Sequence, residues 1–246
     1  MKKVTVIAIV KNEPKNDVKR MIDTFFNQTY PIDEFILVSN KKYYDYRIKV
    51  IINDGDRGMK RNLAVKEARN NYILSTDTTI YPVNYVEEMM KGFENSEFVS
   101  GYTYTFGWTY FPFFIKNHYG SSRCLGFTKE LWEKAGGYPE NMNSAEDEAF
   151  NLRCKQFSKM YEVPHAICFW KLRDNFKELT KQFKSYGSNE RHVNFSIKKR
   201  LTRLFLPLII PIEIIKYCHL MIKTILIVRL TFWFNWIKGT KEKDEK

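Results

Sequence analysis

The alternation of apolar runs with helical segments over the first 76 residues constrains the fold most. The run Val4–Val10 is β-branched and almost wholly apolar, which is typical of a central parallel strand covered on both faces. Further strands are predicted at 34–38, 47–52 and 71–75, with helices at 17–26 and 60–70. Strands that alternate with helices in this rhythm form βαβ units. The sequence therefore predicts an α/β fold with a mostly parallel sheet flanked by helices.

Polar residues stand where three of these predicted strands end. Lys11 and Glu13 follow the first strand, Ser39 and Asn40 follow the second, and Asp77 follows the fourth. Open parallel sheets bind ligands beyond the carboxyl ends of their strands. A carboxylate at that edge can hold a divalent ion against a diphosphate, although a strand-terminal Asp also serves as a turn former. These side chains are the first candidates for a binding site.

An acidic cluster, Glu146, Asp147 and Glu148, opens another predicted helix. The helix macrodipole stabilises acidic residues in a first turn, which is one interpretation of the cluster. Three adjacent carboxylates also repel one another, and a site that uses one of them as a general base would explain that cost. The residues alone leave both interpretations open.

A basic pair, Lys60 and Arg61, lies near the predicted start of the helix at 60–70. Positive charge in this position opposes the macrodipole, so an anion bound there would offset the repulsion. A solvated run of charges is the alternative interpretation.

Four segments together resemble the ordered motifs of family 2 glycosyltransferases with the GT-A fold, which is a Rossmann-like α/β fold. The likeness covers residues 3–187, and the segments are VTVIAIVKNE, the stretch 54–62, ILSTDTTIYP, and GGYPE followed by Glu146-Asp147. The resemblance implies transfer of a sugar from a nucleoside-diphosphate donor to an acceptor hydroxyl, usually with inversion.

The resemblance also implies roles for individual residues. Asp147 corresponds to the catalytic base, and Asp77 to the first Asp of the Asp-x-Asp metal motif. Glu146 and Trp170 would lie on the acceptor side. The residues implied at the donor nucleotide are Val10, Lys11 and Glu13 beneath it, Ser39 or Asn40 at the usual place of a base-reading Asp, and Arg61 near the diphosphate.

Two residues differ from the family pattern at its metal site. Thr79 stands where the family has the second Asp, and Trp170 stands where a metal-binding His is frequent. Losing two such ligands weakens the expected binding of Mg²⁺ or Mn²⁺. Compensation by the Lys60–Arg61 pair or by His165 is the corresponding expectation, with His165 as a plain loop residue the alternative.

The positive charge is concentrated towards the C-terminal end. The net charge is +12, and from Lys181 onward fourteen basic residues accompany five acidic ones, which accounts for +9 of it. Residues 188–240 are basic and apolar, and Glu213, Lys216 and Lys223 fall on one side of a continuous helix. This pattern predicts C-terminal apolar helices that lie in a membrane interface. A helical hairpin packed on the body and a single membrane span are the alternatives.

The sequence thus predicts a GT-A catalytic domain over 1–187, a membrane-associating region over 188–240 and a charged tail over 241–246. A soluble nucleotide-sugar donor that meets its acceptor at the cytoplasmic face of a membrane suggests a lipid-linked or glycan acceptor, and glycan biosynthesis. The rival prediction is a catalytically inactive GT-A module that serves membrane-bound interactions. Nucleic-acid binding is disfavoured, because the basic excess is mixed with a long apolar tail and the sequence contains no recognised nucleic-acid motif.

Overall fold

A computed structural model describes residues 1–106, 115–117, 120–142 and 144–171, the segment 230–235 and six single residues between 177 and 204. The chain divides into two compact units. The first comprises Met1–Thr105, Ile115–Met142 and Glu146–Trp170, and it contains every residue of the predicted site. The remaining residues form the second unit.

Between Val4 and Lys171 the described residues form eight strands and five helices, and the predicted order of strands and helices up to residue 76 is confirmed. Their bounds are β1 Val4–Val10, α1 Lys15–Phe26, β2 Glu34–Ser39, β3 Lys49–Ile52, α2 Arg57–Glu67, β4 Tyr72–Thr76, α3 Tyr85–Gly92, β5 Phe98–Phe106, β6 Ile115–Asn117, β7 Leu125–Thr128, α4 Lys129–Lys134, α5 Glu146–Cys154 and β8 Tyr161–Lys171.

The strands form one mixed sheet in the order β3-β2-β1-β4-β7-β5-β6, and β8 pairs with β5. The first four strands are parallel, as predicted. The prediction of a mostly parallel sheet is wrong for the other half, because β7 runs antiparallel to both β4 and β5, and β6 runs antiparallel to β5. Only eight residues separate β5 from β6. A parallel crossover needs a dozen or more residues, so this connection permits only an antiparallel pair.

Apolar side chains fill both faces of the sheet. On one face, Val6 and Ala8 of β1 pack with residues of α1 and α3. On the other face, Ile7 and Ile9 pack with residues of α2, α4 and α5. Full burial of a valine or isoleucine side chain contributes roughly 1.5–3 kcal/mol to folding. The alternation explains why the β1 sequence is apolar without interruption.

The helix α2 begins earlier than predicted. Asp56 caps it by accepting a hydrogen bond from the Met59 backbone N–H at 2.8 Å. Lys60 and Arg61 therefore lie one turn inside the helix rather than at its first residues. The glycine within this first turn obscured the start in the sequence, because glycine weakens a helical pattern.

A close contact aligns α2 with the segment that leads to α5. A Cβ added at Gly58 would lie 2.0 Å from the Pro139 carbonyl oxygen, so only glycine permits this approach. The Asn62 side chain donates to the Tyr138 carbonyl at 2.9 Å and accepts from the Tyr138 N–H at 2.7 Å. The contact fixes how side chains of α2 and α5 meet.

Residues 230–235 of the second unit are helical. Trp233 donates its indole N–H to the Leu204 carbonyl at 3.0 Å, and its ring contacts Phe234. Over the parts of the chain that the structure describes, no helix is long and apolar enough to cross a membrane. Most of the predicted region 188–240, including Glu213, Lys216 and Lys223, lies outside the described residues.

Candidate active site

The carboxyl ends of β1, β2 and β4 meet at one edge of the sheet. The register pairs Val10 with Ser39 and Ala8 with Thr76. The residues that follow these strands, Asp77 after β4 among them, therefore lie at the same edge. This is the edge at which open α/β sheets bind ligands, and the sequence predicted the side chains that stand there.

The loop after β1 is held by its own carboxylate. Glu13 accepts hydrogen bonds from the Lys11 N–H at 2.5 Å and from the Asn12 N–H at 2.9 Å. The side chain of Glu13 therefore shapes the turn, while Lys11 remains exposed beyond the strand.

The loop after β2 carries an unpartnered acceptor. Ser39 is fully buried, and its hydroxyl accepts from the Lys41 N–H at 3.0 Å. The side-chain oxygen of Asn40 is buried, and it accepts no hydrogen bond from the residues that the structure describes. A buried acceptor without a partner costs free energy in the ligand-free protein and is free to bind a donor group of a ligand.

Lys60 is a buried cation near the same edge. Only 3% of the residue is exposed, and burial lowers the pKa of its ammonium group, as does the charge of Lys11. Asp54 and Glu13 act in the opposite direction. Within the described ranges, no carboxylate forms an ion pair with Lys60. An ammonium group that is partly desolvated and has no ion pair is unfavourable, so an anion bound beside it is stabilised.

Arg61 is the centre of a buried charge network. Its side chain is 1% exposed, and its Nε lies 3.3 Å from Glu146 Oε1. Its Nη1 donates to the Ser75 hydroxyl at 3.1 Å, and its Nη2 lies 3.7 Å from Asp77 Oδ1. Burial alone would lower the pKa of Arg61, but Asp77 and Glu146 outweigh it and raise the pKa. Arg61 is therefore charged, and its position links α2, β4 and α5.

Two predicted roles require correction on this geometry. Arg61 does not present its guanidinium to a ligand, because protein groups surround it; the anions that offset its charge are the chain's own carboxylates. Glu146 is 2% exposed and faces Arg61, so it does not line an acceptor surface. Burial and the neighbouring Asp147 raise the pKa of Glu146, and Arg61 opposes that rise. Both side chains belong to the buried charge network.

Asp77 lies between two arginines. Its Oδ1 faces Arg61, and its Oδ2 lies 3.8 Å from Arg123 Nε. The guanidinium carbon of Arg123 lies 4.1 Å from the centre of the Trp170 ring, within the range of a cation–π contact. The side chains of Asp77 and Arg123 are 21% and 17% exposed. Asp77, Arg123 and Trp170 thus form one partly open cluster.

Backbone and hydroxyl contacts assemble this cluster. The Tyr81 hydroxyl donates to the Arg123 carbonyl at 2.8 Å and accepts from the Asp77 N–H at 3.1 Å. Ile80 and Phe169 exchange two backbone hydrogen bonds of 3.0 and 2.8 Å, which hold the end of β8 beside the loop after β4. Trp170, the next residue of β8, is placed at the site by this bridge.

Asp147 lies in the first turn of α5 and is oriented by three hydrogen bonds. Its Oδ2 accepts from the Ser122 N–H at 3.1 Å and from the Ser122 hydroxyl at 3.0 Å, and its Oδ1 accepts from the Glu148 N–H at 2.9 Å. The residue is partly exposed. Because Ser122 precedes Arg123, one short segment holds both Asp147 and the cation beside Asp77.

The cluster does not fit a divalent metal ion. Mg²⁺ and Mn²⁺ prefer carboxylate and other hard oxygen ligands, yet each Asp77 oxygen faces an arginine. Trp170 offers a ring in place of a ligand, and Thr79 is buried with its N–H bonded to the Asp77 carbonyl at 2.7 Å. No group of three His, Cys, Asp or Glu able to hold a metal occurs among the described residues. Two guanidinium groups would repel a cation placed between them.

Sequence reasoning missed Arg123, Ser122 and Tyr81. Arg123 and Ser122 come from the segment before β7, which no motif or charge pattern marks. Tyr81 lies within the motif segment ILSTDTTIYP, but nothing in that motif indicates a role for its hydroxyl. One indirect signal is Trp170, which stands where the resemblance has a metal ligand. An aromatic ring at that position favours a cationic side chain as its partner. His165 is exposed in the middle of β8, away from the strand end that carries Trp170, and it is a strand residue rather than a loop residue.

Sequence comparison finds a glycosyltransferase relative. No protein-family model matches the chain. An uncharacterized glycosyltransferase from Methanocaldococcus jannaschii is 26% identical over 245 aligned residues, covering 80% of this chain and 80% of the relative.

Comparison with solved structures identifies the fold. A mannosyltransferase from Pyrobaculum calidifontis, solved with GDP-Man and Mn²⁺, matches with a TM-score of 0.68 at 14% identity, covering 98% of this chain and 88% of the other. The S. aureus TarS 1-349 structure with UDP-GlcNAc matches with a TM-score of 0.60 at 12% identity, covering 99% and 92%. The chain therefore has a glycosyltransferase fold.

Proposed function

We propose that the chain is a family 2, GT-A glycosyltransferase that moves a sugar from a nucleoside-diphosphate donor to an acceptor hydroxyl with inversion. The glycosyltransferase relative and the neighbours solved with UDP-GlcNAc and GDP-Man support a nucleotide-sugar donor. The order of motifs along the first unit supports the family.

The observation that carries the proposal is the placement of two carboxylates around one segment. Ser122 binds Asp147, and Arg123 lies beside Asp77. One carboxylate is thereby oriented for the acceptor, and the other stands at the strand end where a donor diphosphate is expected. Both are partly exposed, whereas Glu146 and Arg61 behind them are buried.

The proposed reaction is a single displacement. Asp147 accepts the proton of the acceptor hydroxyl while that oxygen attacks the anomeric carbon of the sugar. The bond between the anomeric carbon and the diphosphate oxygen breaks, and the nucleoside diphosphate leaves with the electron pair. Attack opposite the leaving group inverts the anomeric configuration. Three hydrogen bonds to Asp147 fix the orientation that this step requires.

The donor nucleotide fits the loops after β1 and β2. Asn40 offers a buried oxygen without a hydrogen bond from the described residues, which can accept an N–H of a nucleobase. Lys60 supplies a positive charge on a largely buried side chain, and Lys11 supplies one on an exposed side chain. Val10, Glu13 and Ser39 shape the strand ends beneath. The nucleotide is therefore read by an amide and by lysines rather than by the family's usual Asp.

The acceptor is proposed to be a lipid-linked sugar or glycan at the cytoplasmic face of a membrane, within glycan biosynthesis. This part of the proposal is supported by the concentration of basic and aromatic residues after Lys181. It predicts that the detergent-solubilised chain prefers a polyprenyl-phosphate-linked sugar to a free sugar. Glycosylation of free sugars alone would contradict it.

The test is turnover of a donor panel by the full chain. UDP- and GDP-sugars are incubated with lipid-linked and free acceptors, with EDTA and with Mn²⁺, and release of nucleoside diphosphate is measured. For the donor that is turned over, Asp147→Asn is expected to lower the rate by about 10²–10⁴-fold and to retain donor binding.

Glu130→Gln is the matched control, because Glu130 is also an acidic residue in the first turn of a helix but is exposed on α4. Its rate is expected to equal that of the wild type. Normal turnover by Asp147→Asn would contradict the assignment of the base. Absence of turnover for every donor, with donor binding retained, would instead favour the inactive interaction module.

A further inference from the structure

We propose that the Arg123 guanidinium, seated on Trp170 beside Asp77, occupies the place of the divalent cation and stabilises the departing diphosphate, so that transfer needs no metal ion. The inference rests on the proposed function, since it concerns the diphosphate of the same donor. It deepens that function by naming the group that carries the positive charge.

The first support is the position of Arg123. Its Nε lies 3.8 Å from Asp77, the carboxylate that corresponds to a metal ligand in the family resemblance. Arg61 is slightly closer to Asp77, at 3.7 Å, but its side chain is only 1% exposed, whereas 17% of the Arg123 side chain is exposed. Arg123 is therefore the cation on the ligand side of Asp77.

The second support is the way the guanidinium is held. Trp170 lies beneath it at 4.1 Å, and Arg123 Nη1 donates to the Ser121 hydroxyl at 3.0 Å. The Tyr81 hydroxyl binds the Arg123 backbone. A side chain fixed by a ring, a hydroxyl and its own backbone loses little conformational entropy when it binds a ligand, which favours a binding role.

The third support is that the substitutions at the metal positions belong together. Trp170 is a poor metal ligand but a good platform for a guanidinium. Thr79 carries no negative charge, so the site lacks the second carboxylate that would help to bind a divalent ion. The single carboxylate of Asp77 is enough to orient the arginines beside it. Thr79, Trp170 and Arg123 are thus consistent with one another as parts of a site for the diphosphate. In a metal site, by contrast, Thr79 and Trp170 would each take the place of a metal ligand.

The chemistry suits a leaving diphosphate. Negative charge grows on the diphosphate oxygen as its bond to the anomeric carbon breaks. A guanidinium presents several N–H donors in a planar fork that matches phosphate oxygens, and it keeps its charge throughout. Stabilisation of developing charge by a group already in place lowers the barrier. Arg123 gives up no proton in this step; the proton of the acceptor goes to Asp147.

The experiment measures binding and turnover of the full chain in EDTA. UDP, GDP and their monophosphates UMP and GMP are the binding probes, and the donor panel supplies turnover. The wild type is expected to bind the preferred diphosphate more tightly than its monophosphate without metal. Arg123→Gln is expected to lose at least about 10-fold in diphosphate affinity, since a hydrogen bond to a charged group is removed, with little change for the monophosphate.

Arg123→Lys keeps the charge without the fork and is expected to recover part of the diphosphate affinity. Arg69→Gln is the control, because Arg69 pairs with Glu34 at 3.0 Å near the opposite end of β2, and its affinities are expected to match the wild type. The monophosphate affinity of Arg123→Gln reports whether that variant is folded, and thermal melting of Arg123→Lys provides a second check.

The outcomes separate the two proposals. Turnover that requires Mn²⁺, or an Arg123→Gln variant with wild-type diphosphate affinity in EDTA, overturns the role of Arg123 and leaves the transferase function intact. Failure to bind or turn over any nucleotide sugar, with or without Mn²⁺, overturns the proposed function and the role of Arg123 with it. Turnover in EDTA that falls in Arg123→Gln supports both.

Discussion

The two halves of the sheet contribute different parts of the site. The parallel half, β3-β2-β1-β4, ends in the loops that carry Lys11, Asn40 and Asp77. The antiparallel half, with α5 and β8, supplies Arg123, Asp147 and Trp170. On the proposed function, the first half binds the donor nucleotide, and the second supplies the base and the cation at the diphosphate.

The two halves differ in how they position the side chains of the site. In the parallel half, each side chain follows a strand whose register sets its place. In the other half, side chains are placed by hydrogen bonds between loops, such as those of Tyr81 and Ser122. Arg61 connects the halves, because it extends from α2 to both Asp77 and Glu146.

Arg61→Met removes this connection, and it is expected to have the largest effect of the variants described below, a loss of stability. It leaves Glu146 buried without its ion-pair partner, which costs roughly 3–5 kcal/mol in the free energy of unfolding. Chemical denaturation of the full chain, followed by fluorescence, measures the loss. The double variant Arg61→Met/Glu146→Leu is expected to recover part of it, because both charges are removed together.

The loss in Arg61→Met is expected to depend on pH. Burial and Asp147 already raise the pKa of Glu146, and removing Arg61 raises it further. A group whose pKa is higher in the folded state stabilises the fold at low pH, and this contribution disappears as the pH rises through the folded pKa. The deficit relative to wild type is therefore expected to be smaller at about pH 5 than at about pH 8. An equal deficit at both would contradict an ionisable Glu146 as its cause.

Lys60→Met tests the proposed binding of the donor nucleotide by the parallel half alone. Loss of a charged hydrogen bond to the nucleotide is expected to weaken nucleoside-diphosphate binding by about 10- to 100-fold. The fold is not expected to lose stability, because the variant removes a buried charge that has no ion pair among the described residues. Lys66→Met, an exposed lysine in the last turn of the same helix, is the control. Lower stability with unchanged nucleotide affinity would show that Lys60 is structural.

The stability of the wild type provides a second measurement of Lys60. Burial lowers the pKa of its ammonium group in the folded state. The unfolded chain then holds this proton more tightly, so the contribution of Lys60 to stability rises with pH between the lowered pKa and its ordinary value. Lys60→Met is expected to remove that rise, and Lys66→Met to retain it.

Trp170→Leu tests the antiparallel half, through the contact between Trp170 and Arg123. It is the variant with the smallest expected effect. A cation–π contact contributes roughly 0.5–2 kcal/mol, so diphosphate affinity in EDTA is expected to fall by about 2- to 30-fold. Affinity for the monophosphate is expected to stay constant, and Trp170→Phe to keep most of the diphosphate affinity. Equal losses for both nucleotides would indicate that Trp170 acts on the fold rather than on Arg123.

The difference between the halves also explains what could be predicted from the sequence. The buried parallel strands have continuous apolar runs, so β1, β2 and β4, and the polar residues after them, were predicted close to their observed positions. The antiparallel half was not, because residues 98–114 are rich in aromatic side chains and have no regular period that indicates strands or their direction. The family resemblance implied ligand roles for Arg61 and Glu146, and a single sequence does not show that these two charges pair with each other inside the protein.

Arg123 could not be predicted, for a related physical reason. Its role depends on Asp77, 46 positions earlier, and Trp170, 47 positions later, and a single sequence gives no sign that these three meet. On the family resemblance, Thr79 and Trp170 indicated a departure from the expected metal site. Only the packing of the loop before β7 against β8 shows what stands in its place.

The most direct test of single displacement at Asp147 is the anomeric configuration of the product. The full chain is supplied with the donor it turns over, and NMR compares the anomeric proton of the transferred sugar with that of the donor. One base and one displacement predict a product of inverted configuration, formed at least about 10²-fold more slowly by Asp147→Asn. A product that retains the donor configuration would contradict the account.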